Sequence, residues 1–247
     1  MIKEEWRIHS TMFGGFNFAI FPFLIFIFGC GFGLFLPELT NIILLNRIIL
    51  ILHWFFLIFG LSVGAFGLLG REAMNRRFGQ ASLIAYSSRT LPISNRKILF
   101  WFFVKDLIYY FFIWLFPYFF GLGIGAFLIL NNFLLLFLSL TLSLSFIFGV
   151  SIIFLLSTIY IHSNKLLVLL IVLFTGILTK FGYFYFPTYE LYVNPGLKDF
   201  LIVIFSIVFN TGISIAFLKI DFANRKTYFN NIFSKLVKLF DNKHIGY

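Results

Sequence analysis

Six stretches of this chain are long and apolar enough to cross a bilayer, and this limits its possible folds more than any other feature. A spanning helix needs about 20 mostly apolar residues, because each adds about 1.5 Å against about 30 Å of hydrocarbon. The stretches cover residues 16–35, 49–69, 99–130, 133–161, 166–186 and 200–218. Composition agrees, with 61% of the 247 residues hydrophobic and 11% charged. A soluble domain is nearer a quarter charged, so one buried core does not account for the balance. Disorder demands the opposite composition. The expected fold class is all-α, a polytopic membrane protein with six transmembrane helices. The third and fourth stretches exceed one straight span. Tilt, a break at Pro117 or a cytoplasmic extension absorbs the surplus.

Six spans place both termini on one side. With the N-terminus inside, sixteen of the nineteen Lys and Arg fall in cytoplasmic segments, Arg47 and Lys198 lie outside, and Lys180 falls within the fifth span. The excess of positive charge on one side sets the orientation as N-in, C-in in a cell (plasma) membrane. The net charge of +10 therefore reads as orientation in a bilayer, and no nucleic-acid partner is expected. The first apolar run is too long for a signal peptide and no small-residue cleavage site follows it. The single cysteine, Cys30, excludes a disulfide framework and an internal cysteine-based metal site. It reads as a packed helix residue.

The outer connections, 36–41, 131–132 and 187–199, are short. The last contains Pro187, Tyr189, Tyr192 and Pro195 and suits an interfacial cap, its tyrosines being ordinary membrane-belt residues. On the inner side, Ile2, Trp6 and Phe13 recur at helical spacing and predict a surface helix ahead of the first span. In the basic tail, residues 219–247, Phe229, Phe233, Leu236, Val237 and Phe240 alternate with Lys235 and Lys238. This predicts an amphipathic helix resting on anionic lipid. The domain division is thus a six-span region, 1–218, and this tail.

The segment between spans two and three, 71–97, is long for a mere connection. Ala73, Arg76, Arg77 and Gln80 favour a helix, Gly79 permits a bend, and Leu83, Ile84 and Tyr86 offer apolar contacts, with Arg71, Glu72 and Phe78 in the same segment. After Leu91-Pro92-Ile93, Ser94 is placed to cap the helix entering span three. The loop alone fits equally a knob gripped by a soluble partner and a charged connection that only fixes topology.

These parts together resemble a permease subunit of the ABC-2 family of ATP-binding-cassette transporters. The likeness rests on the surface helix before span one, on Glu72, Arg77 and Gly79, and on Leu91, Pro92, Ile93, Ser94, Arg96 and Ile98 leading into span three. About 30 residues resemble the family in detail. The resemblance implies that 71–86 is a coupling segment docking on a separate ATP-binding-cassette ATPase. It also implies a second permease subunit, identical or paralogous. The chain has no Gly-x-x-x-x-Gly-Lys-Ser/Thr motif, so it is not expected to be an enzyme. ATP and magnesium would belong to the partner, and no cofactor to this chain.

Three small-x-x-x-small pairs, Gly29/Gly33, Gly60/Gly64 and Gly121/Gly125, predict close helix packing, chiefly within the subunit. Few ionisable groups lie at bilayer depth. Lys180 fits function and snorkelling equally. Lys105 and Asp106, near the inner edge, are placed to form salt bridges with the coupling region. His53 is expected to hydrogen-bond a neighbouring carbonyl. Scarce intramembrane acids disfavour coupling to an ion gradient, which leaves an apolar or amphipathic cargo for export. Two other classes use similar spans: an integral enzyme acting on lipids, and a non-transporting anchor or immunity protein.

Overall fold

The computed structural model describes Ser10 and residues 15–68, 94–127, 132–162, 171–172 and 186–217. All regular structure among them is helical: α1 (Gly15–Ile42), α2 (Leu45–Leu68), α3 (Asn95–Tyr110), a π-helical turn (Phe111–Leu115), α4 (Phe116–Gly125), α5 (Asn132–His162), α6 (Pro187–Val193) and α7 (Leu197–Phe217). Among the described residues, five apolar helical runs are long enough to cross a membrane: Ala19–Ile42, Leu45–Gly64, Phe103–Gly125, Phe133–Leu156 and Leu197–Phe217. This is a membrane protein by composition and length. The fifth predicted stretch, 166–186, lies almost wholly outside the described residues, as do the N-terminal surface helix and the tail.

Two boundaries differ from the sequence expectation. The first outer connection is not 36–41, because α1 continues through Pro37 to Ile42. Proline removes only one donor there, and the Thr40 hydroxyl folds back onto the Pro37 carbonyl at 2.7 Å. The reversal into α2 uses only Ile43 and Leu44, so Arg47 stands in the first helical turn of α2. In the third span the irregularity precedes Pro117 instead of falling on it. The Phe116 N–H donates to the Phe111 carbonyl, one residue beyond the α-helical partner. That wider turn delivers Pro117 to the start of α4, where a missing N–H leaves no bond unmade.

Glycines decide which spans touch. A Cβ on Gly29 would meet the Tyr118 carbonyl and the Leu122 N–H, and one on Gly33 would meet Gly125 and Ala126. Residue numbers rise together on the two helices, so α1 and α4 run parallel in backbone contact. Likewise Gly60 faces Phe146 and Val150, Gly64 faces Val150 and Ile153, and Gly149 faces Leu57 and Leu61, so α2 and α5 are parallel too. Apolar side chains gain little from leaving lipid for another helix, so this close backbone approach carries the packing. Each of the three predicted glycine pairs is used in this way, within the chain.

The two parallel pairs meet along an aromatic seam. Phe56 lies 5.4 Å from both Tyr118 and Phe119, and Phe59 lies 4.7 Å from Trp114 and 5.4 Å from Phe146. Leu52, Leu115, Leu122, Leu142 and Val150 complete the core. The outward faces, with Phe23, Phe35, Leu136, Phe205 and Val208 mostly exposed, are dressed for hydrocarbon.

Candidate functional site

All the residues assigned to partner contact lie outside the described residues: Arg71, Glu72, Arg76, Arg77, Phe78, Gly79, Leu83 and Tyr86, with Leu91 and Pro92 of the entry to span three, and Lys180 of the fifth span. Their two flanks are described. Because α4 runs parallel to α1, the start of α3 lies on the membrane face where α2 ends, so residues 69–93 join two helix ends on one face.

Ser94 occupies the N-cap position of α3 with extended backbone (φ −63°, ψ 142°), but its hydroxyl makes no cap hydrogen bond. The expected position is right and the expected chemistry is absent. Arg96 and Lys97 follow in the first turn, exposed. Two turns further in, Lys105 is nearly buried and its Nζ lies 3.0 Å from Asp106 Oδ1. An ion pair between sequence neighbours neutralises two charges at the edge of the apolar run, which begins at Phe103.

The other end of the bundle holds a polar cluster that the sequence did not assemble. The short helix α6 packs against α2, α5 and α7. Pro187, Thr188 and Leu191 are buried, while Val193 and Asn194 are exposed. The Thr188 hydroxyl lies 2.6 Å from the Ser145 hydroxyl of α5, and Ser145 also donates to the Thr141 carbonyl at 3.2 Å. The Tyr189 hydroxyl donates to the Asn46 carbonyl, 3.3 Å away at the start of α2.

Under this cap lies His53 of α2, fully buried. Its Nδ1 is 2.8 Å from the Ile49 carbonyl, as expected from sequence. A carbonyl only accepts, so that bond requires the proton on Nδ1 and leaves Nε2 with a bare lone pair in the neutral ring. Nε2 is buried and has no hydrogen-bond partner. The rings of Phe186, Tyr189 and Tyr192 surround the imidazole at 6.1, 5.7 and 6.0 Å. Burial, and then the neighbouring Tyr189, push the Tyr192 phenol above its ordinary value, so it remains a neutral hydroxyl at physiological pH. Tyr189 and Tyr192, each half-buried, pack their rings against His53.

Hydroxyls continue down α5. Ser139, Ser143, Ser151 and Thr158 each fold back onto a carbonyl of their own helix at 2.7–2.9 Å, which satisfies them where water is scarce. Ser151 also receives the Asn210 amide of α7 at 3.4 Å. Between α1, α2 and the third span runs an apolar cleft lined by Ile25, Phe28, Phe55, Phe56, Phe59, Trp114 and Tyr118. Phe28 and Phe55 are at least half exposed, so the cleft reaches the lipid-facing surface. Among the described residues, no three His, Cys, Asp or Glu side chains gather as metal ligands would.

No protein-family model, curated protein or solved structure matches the chain.

Proposed function

We propose that the chain is the membrane-spanning permease subunit of an ATP-driven ABC-2-type transporter. In this reading it exports an apolar or amphipathic substrate, powered by a separate ATP-binding-cassette ATPase docked on residues 71–86. The pattern running from Glu72 through Arg77 and Gly79 to Leu91-Pro92-Ile93-Ser94, Arg96 and Ile98 carries the reading. Its placement between two helix ends on one membrane face suits a handle gripped from outside the bilayer.

Six spans with both termini cytoplasmic belong to the same proposal. Asn210 of α7 meets Ser151 of α5, while Thr188, ahead of α7, meets Ser145 nearer the start of α5. That order makes α5 and α7 parallel, and two parallel spans in sequence need one crossing between them. The apolar stretch 166–186 is the right length for it. Arg96, Lys97 and Lys105 at one end, against Glu38, Glu190 and Asp199 beside Arg47 and Lys198 at the other, support the orientation.

The parallel arrangement suits a lever. Force applied where α2 and α3 meet the handle would reach α5 through the glycine contacts at Gly60 and Gly64, and α1 through those on α4. The scarcity of charged side chains along the spans favours a hydrophobic cargo. The test is ATP hydrolysis by the chain assembled with its ATPase in nanodiscs. Lipids or amphipathic compounds are expected to stimulate turnover, and stimulation by sugars or inorganic ions alone would defeat the assignment of cargo.

A further inference from the structure

We propose that His53 is a proton-binding site that controls the docking of α6 on the outer end of the bundle. The inference rests on the geometry of the cap and, for the side on which acid acts, on the orientation proposed above. A buried acceptor with nothing to accept from is costly to leave unmade, yet Nε2 of His53 is such an atom. It is fully enclosed by residues of α6 and its entry, which are the residues that hold the cap down.

Protonation converts Nε2 from acceptor to donor and places a full positive charge in the cage. The titratable groups facing the ring are the phenols of Tyr189 and Tyr192. Around them, Glu190 is half-buried on α6, Lys198 and Asp199 open α7, Arg47 is exposed at the start of α2, and α5 offers the hydroxyls of Thr141 and Ser145. The Thr188 backbone of α6 also faces the ring, and it is a neutral partner; none of the described carboxylates is bonded to the imidazole. The aromatic faces attract a cation, but an ion removed from water without a counter-charge is expensive at this depth. The inexpensive route is to admit water. The proton is therefore held better when α6 has lifted, and acidification of the outer side releases the cap. The attachments that must part are the Ser145–Thr188 hydroxyl pair and the Tyr189–Asn46 bond.

The experiment uses the full chain in lipid nanodiscs, with His9, His162 and His244 changed to Gln so that His53 is the one 15N-histidine signal. Between about pH 7 and about pH 3 the bare Nε2 resonance should give way to the protonated form. Hydrogen exchange of residues 187–193, corrected for the intrinsic rate, should rise over the same interval. One linked proton moves the opening equilibrium by at most about tenfold per pH unit. His53→Gln should abolish that pH dependence. A bare Nε2 signal that persists at about pH 3 overturns the proposal. So does an exchange increase that is unlinked to the His53 midpoint or equal in the Gln variant. The comparison of midpoints within the single-histidine protein decides the matter even where the Gln variant does not fold.

Discussion

The two ends of the α2–α5 helix pair are held in different ways. Towards the C-terminal end of α2, Gly60, Gly64 and Gly149 bring the backbones into contact and leave no room for a side chain. Towards the N-terminal end of α2, both helices pack against α6 and are joined to it through hydroxyls, rings and one buried imidazole. The first kind of joint has a single geometry and resists change. The second is made of separable bonds, each weak in a membrane, where an interhelical hydrogen bond is worth about 0.6 kcal/mol on average. The molecule is thus stiff where a lever would need to be and separable where a gate would.

The largest expected effect tests the stiff end. Gly60→Leu or Gly121→Leu drives a side chain into a carbonyl of the facing helix, Phe146 or Phe26 respectively. Overpacking typically costs about 1–3 kcal/mol, and rigid backbone in the path puts these at or above the upper limit. Thermal unfolding in detergent should show a large drop in midpoint, or loss of folded protein. A Leu accepted at either site without loss would mean that the helices are not in backbone contact.

A smaller effect is expected at the separable end. Ser145→Ala and Thr188→Val remove the two hydroxyls of one buried pair. A double-mutant cycle should return a coupling of about 0.6 kcal/mol and no more than about 1.7 kcal/mol. Exchange of residues 187–193 should rise while that of α2 near Gly60 stays fixed. Loosening of both regions together would erase the distinction between them.

The smallest effect sharpens the comparison by its absence. Gly31 and Gly212 have nothing near the place a Cβ would occupy. Leu at either position should change stability by no more than about 0.5 kcal/mol in isolated subunits. A drop like that of Gly60→Leu would show that glycine content itself, rather than contact, governs these helices.

How much of this was legible beforehand follows from which signals are local. Span positions are local sums of hydropathy, and five runs fall where the residues put them. The glycine pairs were visible as close-packing sites because their spacing is a property of one helix. Their partners were not, since Gly60 and Phe146 are far apart in sequence. The end of α1 was set too early, since a proline such as Pro37 near a helix end removes only one donor and need not stop the helix. The π turn at 111–115 leaves no compositional trace, although Pro117 signalled irregularity nearby. Ser94 showed that the residue type preferred at a cap predicts position better than the bond itself. The cage around His53 was the least legible feature. It joins residues near 53, 145 and 188, and only an unexplained histidine in an apolar span hinted at it. The coupling segment remains a reading of sequence, carried by residues 71–98.

Co-purification tests the central claim most directly. The chain extracted from its native membrane, intact or with Arg71, Arg76 and Arg77 all changed to Glu, is examined for a bound ATPase carrying a phosphate-binding glycine-rich loop. The account predicts that the intact chain brings such a partner with it and that the charge-reversed chain, equally folded, does not. An intact chain that purifies free of any ATPase, or a charge-reversed chain that keeps it, would contradict the account.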